Sequence, residues 1–238
     1  MSEIKNSTIK ENLSSIKEKI ALACKKSNRS ENSVRLVAVS KFHPKEAVED
    51  AIFAGQNLFG ENRVQEAFEK FALLPETASL HIIGSLQRNK VQKALSIRQL
   101  TMIESVDRIE LLEEIEKVAS KINRKIDVLF EIHTGEESKA GFRSEDDVCA
   151  CLKAIALGKI THVNVRGFMT MAPATQNEEK IRESFRSMRL LRDKMSAEFP
   201  SLDLSELSMG MSDDFLIGIE EGATIVRIGS AIFGERTL

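Results

Sequence analysis

The 238 residues are 42% hydrophobic and carry a formal net charge of −2. That is enough apolar mass for one large core, and too little positive charge to recommend nucleic acid or an anionic membrane as a partner. No run approaches the roughly 18 apolar residues of a membrane span, the N-terminus lacks a signal-type apolar core, and Cys24, Cys149, Cys151 and four scattered histidines match neither disulfide nor zinc spacing; the expectation is a reduced, cytoplasmic protein without a metal.

In chain order, residues 7–27 carry Ile9, Leu13, Ile16, Ile20 and Ala23 or Cys24 at helical spacing, which predicts an amphipathic helix. Residues 34–41 are apolar and β-branched, with no charge between Leu36 and Ser40, as in a strand buried on both faces. His43-Pro44 breaks that strand and opens a helix over 44–54, ended by Gly55. A strand over 58–63 precedes a helix over 64–74, stopped by Pro75. A strand over 80–84 leads to a helix over 86–95, and one over 102–106 to a helix capped by Asp107. A strand over 127–134 ends in the polar loop 135–141, followed by a helix over 145–157. A strand over 165–171 leads through Pro173 to a long helix over 177–199. A strand over 206–211, a short helix capped by Ser212-Asp213-Asp214, and a strand over 225–233 close the series.

About eight strands alternate with helices, and most lack polar–apolar alternation. That pattern predicts a single-domain (β/α)8 barrel of α/β class over residues 1–238. Residues 1–33 would form the helix that packs on the barrel, in place of one missing after the last strand, and residues 34–238 the barrel itself.

Function in such barrels lies at the C-terminal ends of the strands. Lys41 stands at the end of the first, aimed like Val37 and Val39, while Leu36, Ala38 and Ser40 point the other way. Desolvation there lowers an ammonium pKa and leaves an amine able to attack a carbonyl; the plainer alternative is a lysine that snorkels to solvent. Ser208 to Asp214 reads as strand, glycine turn and helix start, and Gly229-Ser230 adds backbone donors, a combination suited to phosphate. Arg227 interrupts the apolar run 225–229 and needs an acceptor there. That acceptor is either Glu61 or Glu206 across the barrel, or a ligand's ring nitrogen or carboxylate. An aldehyde-seeking lysine, a phosphate and a ring acceptor describe pyridoxal 5′-phosphate, although a Schiff-base aldolase on a sugar phosphate fits the same spacing.

Val37-Ala38-Val39-Ser40-Lys41, Phe59-Gly60-Glu61-Asn62-Arg63-Val64-Gln65-Glu66 and the stretches 81–90, 137–142, 167–173, 207–215 and 224–234 resemble the pyridoxal phosphate homeostasis proteins. The resemblance runs from about residue 34 to the C-terminus. It implies a fold like the N-terminal domain of alanine racemase, with Lys41 as the Schiff-base lysine. It also implies a phosphate held by Ser208, Ser212, Gly229 and Ser230, Arg227 facing the pyridine nitrogen, and Asn62 and Met209 lining the site. The implied role is to hold pyridoxal phosphate and pass it on to dependent apo-enzymes, as a monomer and without efficient amino-acid turnover. Leu80, Ile82 and His133 depart from the family pattern and leave the third and fifth loops open. The alternative is an amino-acid racemase or decarboxylase. Against it, the sequence contains no Tyr to act as a second base and ends directly after the last predicted strand. Gln87 to Lys90 reads as a solvated face or a partner contact, and Cys149 and Cys151 as residues of a helix face away from the rim.

Overall fold

Strands this short and this apolar need cover on both faces, and they obtain it by closing on themselves inside a ring of helices. The computed structural model describes residues 2–133 and 140–234. Thr134 and all of the expected polar loop except Ala140 and Gly141 lie outside the described residues. The strands β1 Arg35–Val39, β2 Leu58–Glu61, β3 Ser79–Ile82, β4 Leu100–Val106, β5 Ile126–Glu131, β6 Val163–Met169, β7 Glu206–Ser208 and β8 Ile225–Ile228 form one closed barrel in sequence order. Every pairing is parallel, including that of β1 with β8, which sets Val37 opposite Arg227. The chain therefore has the (β/α)8 barrel expected of it.

Side-chain alternation divides the apolar residues into two clusters. Val37, Val39, Met102, Leu129, Met169 and Ile225 fill the barrel interior. Leu36, Ala38, Phe59, Ile82, Val128 and Val226 face outward into the layer shared with the helices. That layer is closed by α1 Ser2–Lys26, α2 Lys45–Phe53, α3 Val64–Phe71, α4 Val91–Leu95, α5 Ile109–Lys121, α6 Glu145–Ala156, α7 Glu178–Glu198 and α8 Phe215–Glu220. Among the described residues, no helix is long and apolar enough to cross a membrane.

The elements differ from the sequence expectation mostly at their ends. The predicted last strand breaks at Gly229, and α9 Ser230–Phe233 follows as one turn. The helix thought missing is thus present in short form. Next to it lies α1, whose Asn12 Nδ2 donates to the Ile232 carbonyl at 2.9 Å. Asp107 is not the cap of α5: Arg108 holds that position without a side-chain cap, and Asp107 is paired with Arg108. The predicted helix over 86–95 begins as a 3-10 turn, Arg88–Lys90, before α4. Asn177 caps α7, accepting from the Lys180 N–H at 3.2 Å. Ser212 does not cap α8, where Asp214 stands at the N-cap.

One irregularity sets the inward pattern on the far side of the barrel. Val165 stands opposite Val128 and Gly167 opposite Leu129, so Arg166 is an extra residue bulged outward, where it meets Asp203 at 2.9 Å. After the bulge Phe168 joins the outer layer and Met169 the interior. Gly167 has φ +142°, and a Cβ there would lie 2.0 Å from the Glu206 carbonyl oxygen of β7. Gly55 has φ +81° with nothing within 4 Å. Gly55→Ala should therefore meet only the left-handed backbone penalty, about 1–2 kcal/mol. Gly167→Ala adds a backbone clash to its strain, and its urea midpoint should fall clearly further at an unchanged m-value. Equal midpoints for the two variants would contradict the bulge geometry.

Candidate functional site

Several buried charges collect near the C-terminal end of this barrel. Arg227 on β8 is 4% exposed. Its NH1 donates to the Ser208 carbonyl at 2.8 Å and to Ser208 Oγ at 2.6 Å, and its NH2 donates to the Thr170 carbonyl at 2.8 Å. Ser208 Oγ in turn donates to Glu104 Oε2 at 2.6 Å, and His81 Nδ1 lies 2.5 Å from Glu104 Oε1. Glu104 is also 3.8 Å from the guanidinium. Arg227 therefore pairs with neither Glu61 nor Glu206, the two candidates from sequence: Glu61 bonds Lys70 and Glu206 bonds Arg35, each at 2.7 Å. Burial pushes the Glu104 carboxyl upward, but His81, Arg227 and Ser208 outweigh it and leave the group below the usual carboxylate range. Burial likewise lowers the Arg227 guanidinium, against the pull of Glu104, Asp214 and Glu131.

Above this floor lies a cavity of about 560 Å³. Lys41, Asn62, Arg227 and Glu131 line it, together with Ser212, Gly229 and Ser230. Lys41 follows the end of β1 by two residues and keeps the inward direction of Val37 and Val39. Gly229 lets β8 approach β1, because a Cβ there would meet the Val39 carbonyl oxygen at 3.1 Å. It is followed by the first N–H groups of α9, which have no acceptor within their own helix. The Gly210–Asp214 loop folds back on itself: the Gly210 carbonyl accepts from Arg227 N at 3.0 Å, and Asp214 Oδ1 accepts from Met211 N at 2.5 Å. This brings Ser212 Oγ to 3.3 Å from Ser230 Oγ.

Of the residues singled out by sequence, the cavity thus brings together Lys41, Asn62, Ser212, Arg227, Gly229 and Ser230. Two are elsewhere. Ser208 is fully buried beneath the cavity, its hydroxyl shared between Arg227 and Glu104, and Met209 packs in the outer apolar layer. His133 lines a separate cavity of about 530 Å³ with residues of α6 and α7. Sequence reasoning missed Glu131, because the fifth strand was extended to Thr134 and its true end passed over. The signal was present: a carboxylate closes the apolar run 126–131 just as Arg227 interrupts the run 225–229. Among the described residues, no group of three or more His, Cys, Asp or Glu could hold a metal ion.

Comparison with known proteins agrees with the fold. The sequence model of the family described as alanine racemase, N-terminal domain, matches residues 9–237. A pyridoxal phosphate homeostasis protein of Aquifex aeolicus is 42% identical over 230 residues, covering 95% of this chain and 97% of its own. Another, from Haemophilus influenzae, is 36% identical and covers 96% of each. The solved structure of PipY from Synechococcus elongatus with PLP bound superposes with a TM-score of 0.83 at 34% identity, over 95% of this chain and 100% of that one.

Glu131 supplies the prediction of this site. It is 4% exposed, and burial, reinforced by Asp107 and opposed by Arg227, raises its carboxyl from 4.5 to about 7. The folded state therefore holds this proton more tightly than the unfolded chain. Between about pH 4.5 and 7 the folded state binds the extra proton, so this group makes stability fall as pH rises through that window. Glu131→Gln should remove this component, gaining stability relative to the parent at pH 8 and little at pH 4.5. Parallel urea titrations at both pH values measure it, and an equal difference at the two would contradict the assignment.

Proposed function

The chain belongs to the pyridoxal phosphate homeostasis protein family, within the wider alanine racemase N-terminal domain family, and on that premise we propose that it binds pyridoxal 5′-phosphate through Lys41 and acts in its homeostasis. The observation that carries this reading is that one cavity is lined by the Lys41 amine, the Arg227 guanidinium and the Ser212–Ser230 pair. At about 560 Å³ it falls in the range of small-molecule sites, about 300–1,000 Å³. Its donors suit the group: a primary amine for an aldehyde, hydroxyls and helix-start N–H groups for a phosphate, and a cation for a ring acceptor. When bound, the cofactor supplies an electron-poor ring joined to the amine it holds.

Each residue then has a defined task. Lys41 would hold the cofactor, its amine being the group that suits the aldehyde. Ser212, Gly229 and Ser230 hold the phosphate, and Asn62 lines the site. Ser208 and Met209 act from beneath instead of touching the phosphate or the ring, Ser208 by fixing Arg227 and Met209 by packing. Three of the five N–H groups of Arg227 are used within the protein, and the rest are available to an acceptor in the cavity. A permanently charged donor holds that acceptor nitrogen without a proton, which weakens the ring as an electron sink.

The same reading makes the protein a carrier, not an efficient amino-acid enzyme. Racemisation needs a base on each face of the α-carbon. Lys41 could serve one face, but the 238 residues contain no Tyr for the other. Cys149 and Cys151 lie on α6, and burial raises both thiols, that of Cys151 to about 12. The observation that favours the racemase alternative is Glu131, an acid on the cavity wall raised to about 7. We take residues 1–238 as one domain, monomeric and cytoplasmic, that passes the cofactor to apo-enzymes. Its three free cysteines suit a reducing compartment.

Three measurements test this reading. Borohydride reduction followed by peptide mass spectrometry should find a phosphopyridoxyl group on Lys41, lost in Lys41→Ala while the circular dichroism spectrum is kept. An adduct that survives on another lysine would overturn the assignment. Ser212→Ala should lose about one hydrogen bond, roughly 1–3 kcal/mol of binding where its partner is charged, and Ser212→Asp more, because it adds a charge facing the phosphate. Equal titration curves for the two would move the phosphate elsewhere. Incubation of the loaded protein with L- and D-alanine, serine and lysine should give negligible racemisation. Turnover in the usual enzyme range, about 1–1,000 per second, would favour the enzyme alternative.

A further inference from the structure

Lys41 stands between two residues fastened to one buried cluster on the side of the sheet away from the cavity. Ser40 Oγ donates to Glu61 Oε1 at 2.7 Å, and the Ser40 carbonyl accepts from Lys70 Nζ at 2.9 Å. The Phe42 N–H donates to Glu66 Oε1 at 2.7 Å. Lys70 joins the two halves, donating to Glu61 Oε1 at 2.7 Å and Glu66 Oε1 at 2.9 Å. All three N–H groups of its ammonium are thereby used. Lys70 is 8% exposed and Glu61 is fully buried, an expensive location for charges that leaves little net stability in their pairing.

The turn they hold is itself unusual. His43 N donates to the Ser40 carbonyl at 3.1 Å, which closes a four-residue turn with Lys41 second and Phe42 third. Phe42 has φ +65°, the positive value that a type II turn requires at its third residue and that glycine or asparagine usually supplies. A bulky residue there is strained and keeps its conformation only where its surroundings fix it. Its surroundings include Glu66 on its N–H and the Arg63 guanidinium 5.4 Å from its ring centroid. One stretch thus supplies these four residues: Glu61 from β2, Arg63 just before α3, and Glu66 and Lys70 one turn apart on α3.

We propose that Glu61, Glu66 and Lys70 are positioning residues for Lys41, holding the Ser40–His43 turn in the conformation that presents the Lys41 amine to the cavity. This rests on the reading that Lys41 meets the cofactor, but the turn geometry can be tested without it. A cluster that only glued α3 to the barrel would change stability and leave the reactivity of Lys41 unaltered.

The test uses Glu66→Ala, Glu66→Gln and Lys70→Met in the full chain, each checked for fold by circular dichroism. Competitive labelling with acetic anhydride reports the reactivity of Lys41 against the exposed Lys153 by peptide mass spectrometry. Borohydride trapping with limiting pyridoxal phosphate reports productive presentation of the amine. In Glu66→Ala the trapped adduct should fall about tenfold, as expected for loss of one charge-assisted hydrogen bond, and Lys41 acetylation should move toward that of Lys153. Lys70→Met should act in the same direction, and Glu66→Gln, which keeps an acceptor for the Phe42 N–H, should restore most of both. Glu66 is 23% exposed in its side chain, so its variants decide the matter if Lys70→Met does not fold. A folded Glu66→Ala with Lys41 unchanged in the labelling arm overturns the proposal, as does a Gln variant that fails to restore it. If the parent protein traps no cofactor on Lys41, the functional reading falls and the acetylation arm alone decides the positioning role.

Discussion

A guanidinium inside a closed barrel must have acceptors, and much of the upper half of this molecule is arranged around supplying them. Arg227 draws on the backbone of β7 and of the turn after β6, and through Ser208 and Glu104 it is joined to His81 on β3. Strands far apart in sequence are thereby held at one depth, near the level where their C-terminal ends open into the cavity. Removing any member leaves a buried charge or donor without a partner, the condition that costs a folded protein most. The arginine is therefore fixed in place before any ligand arrives, and a fixed donor selects a ligand by the position of its acceptor.

The sheet uses its two faces for different tasks. Inward residues of β1, β5 and β8 and the residues just after β3 line the cavity, while outward residues at the ends of β1 and β2 make the Glu61–Lys70 cluster. Lys41 lies where the two meet, with its direction set from inside by strand alternation and its turn held from outside by α3. This arrangement keeps the restraining charges out of the cavity. Glu61 shows the result: burial raises its carboxyl and Lys70 pulls it back, and the contest takes place behind the sheet and not beside the ligand.

The fold was legible because parallel strands covered on both faces are written as uninterrupted apolar runs, and eight of them alternating with helices leave few arrangements other than a closed barrel. Arg227 and Lys41 were legible for a related reason, a charge inside or at the end of such a run. Lys70 was not: at a helical position it reads as solvated, and only docking of α3 on Ser40 and Glu61 buries it. The task of Ser208 was equally hidden, since its acceptor Glu104 is 104 residues away and their meeting depends on strand register. That register shifts at the bulge before Gly167 and again within β4, and neither shift has a local sequence signature as clear as a helix cap. The long helix expected over 177–199 matches α7 to within one residue at each end. Gly229 shows the opposite case, because a glycine within an apolar run did not reveal that the strand ends there and a helical turn begins.

The charge balance of the cavity bears on what kind of binding it supports. The positive charge of Arg227 is opposed in the floor by Glu104, whose carboxyl is held below the usual range and is therefore ionised near neutrality. An anion placed above them meets a nearly compensated pair and not a free cation. Neutral donors, namely the Ser212 and Ser230 hydroxyls and the N–H groups that begin α9, then stand beside Lys41 as what the cavity offers an anion. In such a setting one added negative charge matters, and Glu131 is the carboxyl on the wall whose ionisation, at about 7, falls within the physiological range. Protonated, it leaves the balance undisturbed. Ionised, it opposes any anion in the same cavity, and the Coulomb term between them is screened far less there than at the surface.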